Sequence, residues 1–235
     1  MGRAFEYRKA AKEKRWGKMS LIFPKLSKSI TVAAKSGGSD PDMNPKLRTA
    51  ILNAKAENMP KANIDSAIKR ATEKSANLEE ISYEGRGPHG VSVFIDCLTD
   101  NPTRTIANLK FHFKKTDGEV LVNGSLKFMF DKKAIFEFEK TEDQDLEELE
   151  LELIDAGLEE IEMHDNTVYV VANYTDFGTL NTALEEMKIE VTKATLEQIA
   201  NNTKKYSEVE MEDINILIDR LEEDEDVQAV YTNVE

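Results

Sequence analysis

The residues able to do chemistry in this chain are few and scattered. His89, His112 and His164 fall in a turn, a helix and a turn, with no HxxxH or CxxC spacing to gather a tetrahedral ligand set, so no zinc centre is expected. No GxSxG elbow, no GxxxxGK[ST] loop and no nucleophile beside a base can be read from the string. Asp96 and Asp100 carry the carboxylates that a nuclease-type metal site needs. Asp96, however, alternates within a strand, and Asp100 precedes a helix, where capping is the ordinary role. Cys97, the single cysteine, lies in the run Val91-Ser92-Val93-Phe94-Ile95-Asp96-Cys97-Leu98 and reads as a packed thiol in a reducing compartment. The expectation is a protein without catalytic residues, metal or cofactor, and without a small-molecule substrate.

The cations carry the stronger signal. The formal net charge of the 235 residues is -14, but residues 1–75 hold 17 Lys and Arg against 7 Asp and Glu, a balance of +10. The remainder holds 31 − 17 = 14 basic and 45 − 7 = 38 acidic residues, a balance of -24. A basic head on an acidic body implies a polyanion partner for the head, with the body limiting how it docks. The candidate phosphate contacts are Arg3, Arg8, Lys9, Lys12, Lys14, Arg15, Lys18, Lys25 and Lys28. Residues 2–16 have too little apolar surface to fold alone and read as a basic arm that orders on a phosphate backbone. Trp16 sits among these cations, as a core anchor or as a stacking platform. Arg104, in the first turn of a predicted helix, runs against the helix dipole and is the remaining candidate for ligand recruitment.

The glycine-rich run Gly85-Arg86-Gly87-Pro88-His89-Gly90 has two readings. Its glycines and proline supply the positive φ angles and fixed bends of a tight strand entry; its N–H groups and arginine could also face a phosphate.

The elements that must position these residues follow from periodicity. Leu47, Ala50, Ile51 and Ala54 repeat at helical spacing behind Asn44-Pro45, and Ile64, Ala67, Ile68 and Ala71 do so behind Pro60. A third helix carries Met19, Ile22, Phe23, Leu26, Ile30 and Ala33 inward, with Pro24 either kinking it or marking its start. Residues 83–90 read as the hinge that ends this helical half. Beyond it come a strand over residues 90–98, a helix with Ile106, Leu109 and Phe113, and strands over 125–130 and 134–138.

The order from residue 134 to 193 is β-α-β-β-α-β, a ferredoxin-like sandwich. The elements flanking it, closing with a helix over 211–222 and a strand over 227–231, complete one another. The predicted fold is α+β in three domains: a basic helical domain with its arm over 1–76, a middle α/β domain over 77–131 plus 207–235, and an acidic ferredoxin-like domain over 132–206 inserted into the middle one. The acidic run over 142–152 reads as a solvated helix face. No apolar run approaches the roughly 18 residues of a membrane span. The opening residues show no secretory signal pattern, so a cytoplasmic location and no membrane partner are expected.

Several of these segments together resemble one family. Ile30-Thr31-Val32-Ala33-Ala34-Lys35 with Gly37-Gly38, Asn44-Pro45, Asn58-Met59-Pro60, Asn63-Ile64, Tyr83-Glu84-Gly85, Gly87-Pro88, Leu98-Thr99-Asp100-Asn101, Arg104-Thr105 and Phe128-Met129-Phe130-Asp131 are similar to the YebC/PmpR family of bacterial regulators. The opening Gly2-Arg3-Ala4-Phe5-Glu6-Tyr7 departs from the Gly-His-Ser-Lys-Trp start usual in that family, and Gly124-Ser125-Leu126-Lys127 stands where Gly-Ser-Val is usual. The resemblance implies a three-domain cytoplasmic DNA-binding transcriptional regulator, with some members implicated in translation at the ribosome. Two other readings stay open: a ribosome-associated factor binding structured RNA, and a protein-interaction module whose acidic domains contact a protein partner.

Overall fold

The computed structural model describes residues 19–72, 78–142 and 144–235. The head is three helices, α1 (Met19–Gly37), α2 (Pro45–Ala56) and α3 (Lys61–Arg70). Helix α1 extends on both sides of Pro24, so the proline is interior and does not mark the start. Asn44 organises the head: its side-chain oxygen accepts from Leu47 N at 3.1 Å and caps α2, while its amide donates to Ala33 O and Gly38 O, both at 2.8 Å. A Cβ on Gly37 would stand 2.7 Å from that amide, which explains the glycine. Ile30, Leu47, Ala54 and Ala67 are fully buried between the helices, with Met59 and Ile64 beside them.

The middle domain is an antiparallel sheet, order β3-β1-β2-β8, built from β1 (Glu79–Arg86), β2 (Ser92–Thr99), β3 (Glu119–Val120) and β8 (Val227–Thr232). Val93, Ile95 and Cys97 alternate onto one face of β2. They pack there with Leu109 and Phe113 of α4 (Pro102–Lys114) and with Ile214, Leu217 and Leu221 of α7 (Glu208–Glu222).

The segment read as a hinge is largely strand. Tyr83-Glu84-Gly85-Arg86 pairs with Phe94, Val93 and their neighbours in an unbroken register from Glu79↔Thr99 to Arg86↔Ser92. Only the turn Pro88–Gly90 separates the two strands. The strand expected over 125–130 does not form either. Residues 123–129 are turns, held because the buried Glu84 carboxylate accepts from Gly124 N at 2.7 Å and from Leu126 N, with Gly124 at φ +94°.

The third domain has the sheet order β5-β6-β4-β7, with β4 (Phe130–Glu139), α5 (Leu146–Ile154), β5 (Leu158–His164), β6 (Thr167–Asn173), α6 (Phe177–Glu186) and β7 (Val191–Ala200). This is the ferredoxin-like arrangement, with Phe136, Phe138, Val168, Val170, Leu153, Leu180 and Leu184 as its fully buried core. Strand β7 continues well past the residue 193 at which periodicity had ended it. The domain is inserted between β3 and α7, and its first and last strand residues, Phe130 and Ala200, are partners in the sheet. Asn201 N then donates to Met129 O at 2.9 Å. The insertion therefore leaves and returns at one point, so the middle sheet closes around it without strain.

Candidate nucleic-acid interface

Arg3, Arg8, Lys9, Lys12, Lys14, Arg15 and Lys18, and with them the arm and Trp16, lie outside the described residues. The other three candidate cations converge on one corner of the middle domain, residues 222–226. Lys25 Nζ donates to Glu222 O at 2.8 Å, and Lys28 Nζ to Glu225 O at 2.6 Å and Asp226 Oδ1 at 3.2 Å. From the opposite side, Arg104 Nη2 donates to both oxygens of Asp226, and Thr105 Oγ1 donates to Oδ2 at 2.9 Å. Asp226 is only 2% exposed. Burial favours its neutral form, but the donors from Arg104, Thr105 and Lys28 outweigh that and hold the carboxyl below its ordinary range. Burial likewise lowers the Lys25 ammonium, against the pull of Glu222 and Asp224.

These three cations are thus engaged within the protein. Arg104 also reaches Asp100 at 2.8 Å, so the arginine that ran against the helix dipole is balanced by two carboxylates rather than awaiting a ligand. The pairing escaped sequence reading because Asp226 is 122 residues from Arg104.

A second contact joins the head to the inserted domain. Asn53 on α2 donates from Nδ2 to Ala194 O at 2.7 Å and accepts from Ala194 N at 2.9 Å. Its amide thereby satisfies an edge position of β7 as a neighbouring strand would. Beside it Lys193 Nζ lies 2.9 Å from Glu57; burial works against the ammonium there, yet that carboxylate raises its pKa overall. Nothing in the local pattern of α2 distinguishes Asn53 from a solvated asparagine.

The head also turns cations to solvent: Lys46, Arg48 and Lys55 on α2, and Lys61, Lys69 and Arg70 on α3, are all exposed. None of them pairs with a carboxylate among the described residues.

Three amides at the turn Pro88–Gly90 are used within it. Gly87 N donates to Val91 O at 2.8 Å, Gly90 N to Gly87 O at 3.2 Å and Val91 N to Pro88 O at 3.2 Å. His89, at φ +56°, faces acids: its Nε2 is 2.7 Å from Asp213 and its Nδ1 3.8 Å from Glu210, both on α7. Of the three glycines in this run only Gly90 takes a positive φ, at +77°, while Gly85 lies within β1; the acids beside His89 disfavour an anion there, and Lys204 Nζ donates to His89 O at 3.2 Å.

His112 lies 3.7 Å from Asp224 and His164 3.4 Å from Glu162. Asp96 accepts from Ser82 Oγ at 2.6 Å while Asp100 holds Arg104, so the two acids do not converge. Among the described residues no group of three or more His, Cys, Asp or Glu is placed to hold a metal ion. Burial raises the Cys97 thiol far above its ordinary range, assisted by Asp224, Asp96 and Asp226, which leaves it a packing group.

One basic surface was not anticipated. The solvent side of α4 exposes Lys110, Phe111 and Lys114, with Lys115 just beyond, and Phe111 is 55% exposed. Lys115 Nζ stands 5.5 Å from the centroid of the Phe111 ring. Such a contact contributes about 0.5–1 kcal/mol at an exposed site, less than the roughly 1.5–3 kcal/mol of burying a phenylalanine. The ring thus contributes far less to folding than a buried phenylalanine would.

Comparison with known proteins places the whole chain. Residues 3–74 match the family model described as the TACO1/YebC protein N-terminal domain, and residues 78–234 that of the TACO1/YebC second and third domain. A protein named probable transcriptional regulatory protein from Wolinella succinogenes is 62% identical over 236 residues, covering all of both chains. One of the same name from Sulfurimonas denitrificans is 62% identical over 235 residues, again covering both fully. The crystal structure of a conserved hypothetical protein from Aquifex aeolicus superposes with a TM-score of 0.78 at 31% identity, covering 94% of this chain and 92% of that one.

Proposed function

Because the chain belongs to the TACO1/YebC family, we propose that it is a non-enzymatic, nucleic-acid-binding regulator of gene expression, acting in the cytoplasm as a DNA-binding transcriptional regulator. The names of its relatives support regulation of transcription. The observation that carries nucleic-acid binding is the division of the head's cations. Lys25 and Lys28 face inward and dock the head, while Lys46, Arg48, Lys55, Lys61, Lys69 and Arg70 face solvent without carboxylate partners among the described residues. Together with Arg3, Arg8, Lys9, Lys12, Lys14 and Arg15 of the arm and Lys18 after it, they form a sequence-independent phosphate contact. The acidic domains repel the same polyanion and limit how it docks. No helix among the described residues is long and apolar enough to cross a membrane.

The test is a binding titration of the full chain against duplex DNA and against ribosomes, each across a salt series. If five to eight cations engage duplex DNA, log affinity should fall against log salt with a slope of about -0.9 per contact. Lys12→Glu/Arg15→Glu should flatten that slope by about two contacts. A flat salt response of the unmodified protein overturns the reading. Binding to ribosomes in preference to DNA at physiological salt moves the protein to translation, where backbone and shape contacts on structured RNA take over.

A further inference from the structure

The acidic body carries one stretch that contradicts its own charge. Residues 102–116 contain Arg104, Lys110, Lys114 and Lys115 and no Asp or Glu, within a body whose balance is -24. Helix α4 buries Thr105, Leu109 and Phe113 against the middle sheet, which turns Ala107, Lys110, Phe111 and Lys114 outward. Lys110 and Lys114 are one turn apart, about 6 Å along the axis, and by helical spacing lie to one side of Phe111 with Lys115 to the other. Among the described residues no carboxylate pairs with Lys110, Lys114 or Lys115. The nearest acid of the 222–226 corner, Asp224, is occupied by the Asn108 amide at 3.0 Å and faces His112 at 3.7 Å. At the N-terminal end of the face, Arg104 is held by Asp226 and Asp100, so the available surface is the last two turns of the helix.

We propose that this face of α4 binds a short run of unpaired nucleotides, one base stacking on Phe111 while Lys110, Lys114 and Lys115 hold the flanking phosphates. The proposal deepens the nucleic-acid reading of the protein and rests on it. Three features point to a single strand. An open aromatic face stacks only on a base that is not already stacked and paired, so a duplex has nothing to offer the ring. The cations beside it, unmatched by carboxylates, suit a backbone that passes alongside. A protein partner is disfavoured because lysine is depleted in protein interfaces relative to the rest of the surface, and three lysines lie beside the ring here. The head and this helix then divide the work: the head grips the backbone irrespective of strandedness, and α4 selects segments that are open. DNA and RNA share this chemistry.

The experiment is fluorescence anisotropy of the full chain with labelled oligouridylate, oligothymidylate and duplex DNA, at low and physiological salt. Phe111→Ala is expected to weaken both single strands by about tenfold, the effect of one stacked base, and to leave duplex affinity unchanged. Phe111→Tyr should retain binding, since its ring stacks equally well. Lys110→Glu/Lys114→Glu should reduce the salt slope on single strands by about 1.4, two contacts at roughly 0.7 each. All of these side chains are exposed, and unchanged thermal melting confirms that the variants fold. A preference for oligouridylate over oligothymidylate would identify RNA as the source, and the reverse DNA. If the unmodified protein binds with a steep salt slope but Phe111→Ala and Lys110→Glu/Lys114→Glu bind every probe as tightly, the site on α4 is overturned while the head reading stands. If the unmodified protein binds none of the probes, both fall together.

Discussion

Arg104 grips Asp226 across 122 residues of sequence, with Nη2 at 2.9 Å from Oδ1 and 2.7 Å from Oδ2 and Nε at 3.2 Å from Oδ2. Arg104 belongs to α4 and Lys28 to α1, so one carboxylate ties the head, α4 and the last strand together. Its folded-state pKa lies below the ordinary 3.8. A depressed carboxyl contributes stability that is fully present above its unfolded pKa and is lost as pH falls through its folded one. Wild-type stability should accordingly drop as pH falls below about 4, and Asp226→Asn should show a shallower drop because that contribution is already gone. At neutral pH the substitution should cost about 3 kcal/mol, the low end for breaking a buried charge pair, since Arg104 itself is half exposed. Urea denaturation across a pH series measures both effects. An unchanged midpoint at neutral pH would show that the corner does not hold the domains.

The attachment of the head to the inserted domain rests on an amide that is donor and acceptor at once. Asn53→Asp keeps the shape but places a carboxylate oxygen against Ala194 O, removing one hydrogen bond and adding repulsion. The expected cost is about 1–3 kcal/mol in total. Its location is more diagnostic than its size. Hydrogen exchange of the Ala194 amide should speed up in Asn53→Ala, while amides in the β1–β2 hairpin keep their rates. Equal exchange at Ala194 in both proteins would show that α2 does not cover that edge.

Gly85 lies in β1 opposite Val93, and a Cβ there would stand 2.2 Å from Phe113 Cζ. Gly85→Ala should therefore destabilise by about 1–3 kcal/mol through overpacking. Phe113→Leu alone should also destabilise, by leaving part of the ring's volume empty. Combined, the two should recover stability relative to the sum of the single changes, because the ring tip that clashes is the part removed. Additive losses in thermal melting would place the ring elsewhere than against Gly85.

These side chains also mark where sequence reading succeeded and where it stopped. The inserted ferredoxin-like domain was legible because its strands alternate cleanly and its helices carry Leu149, Leu153, Leu180 and Leu184 at helical spacing. Strand β1 was not, because Glu79, Glu80, Gly85 and Arg86 are poor strand residues that full pairing with β2 overrides. The 125–130 segment looks like a strand for the opposite reason: its residues suit one, but Glu84 takes the amides that a ladder would need. At the interface, the basic balance of the head was readable and the direction of each cation was not. Lys25 and Lys61 are equally ordinary lysines in the string, and only the position of residues 222–226, far along the chain, separates a docking contact from a free charge. Phe111 lies two residues from the inward Phe113 and so on the opposite side of the helix, a signal that was present in the string and was not used.

Lys28 distinguishes the inward cations from the outward ones by experiment. If Lys28 contacted phosphate, Lys28→Ala would lower the salt slope of duplex binding by about 0.9. Its ammonium is instead 2.6 Å from Glu225 O and 3.2 Å from Asp226, so the slope should be unchanged. The cost should appear in stability, at about 1 kcal/mol for a partly exposed charged hydrogen bond after solvent screening. Lys61→Ala should behave in the opposite sense, flattening the slope by about one contact without moving the melting temperature, because Lys61 has no partner to lose among the described residues. Measuring both variants by salt-dependent binding and by thermal melting checks the assignment twice. A reduced slope in Lys28→Ala with unchanged stability would mean that nucleic acid draws Lys28 away from the 222–226 corner, and that the head rearranges when it binds.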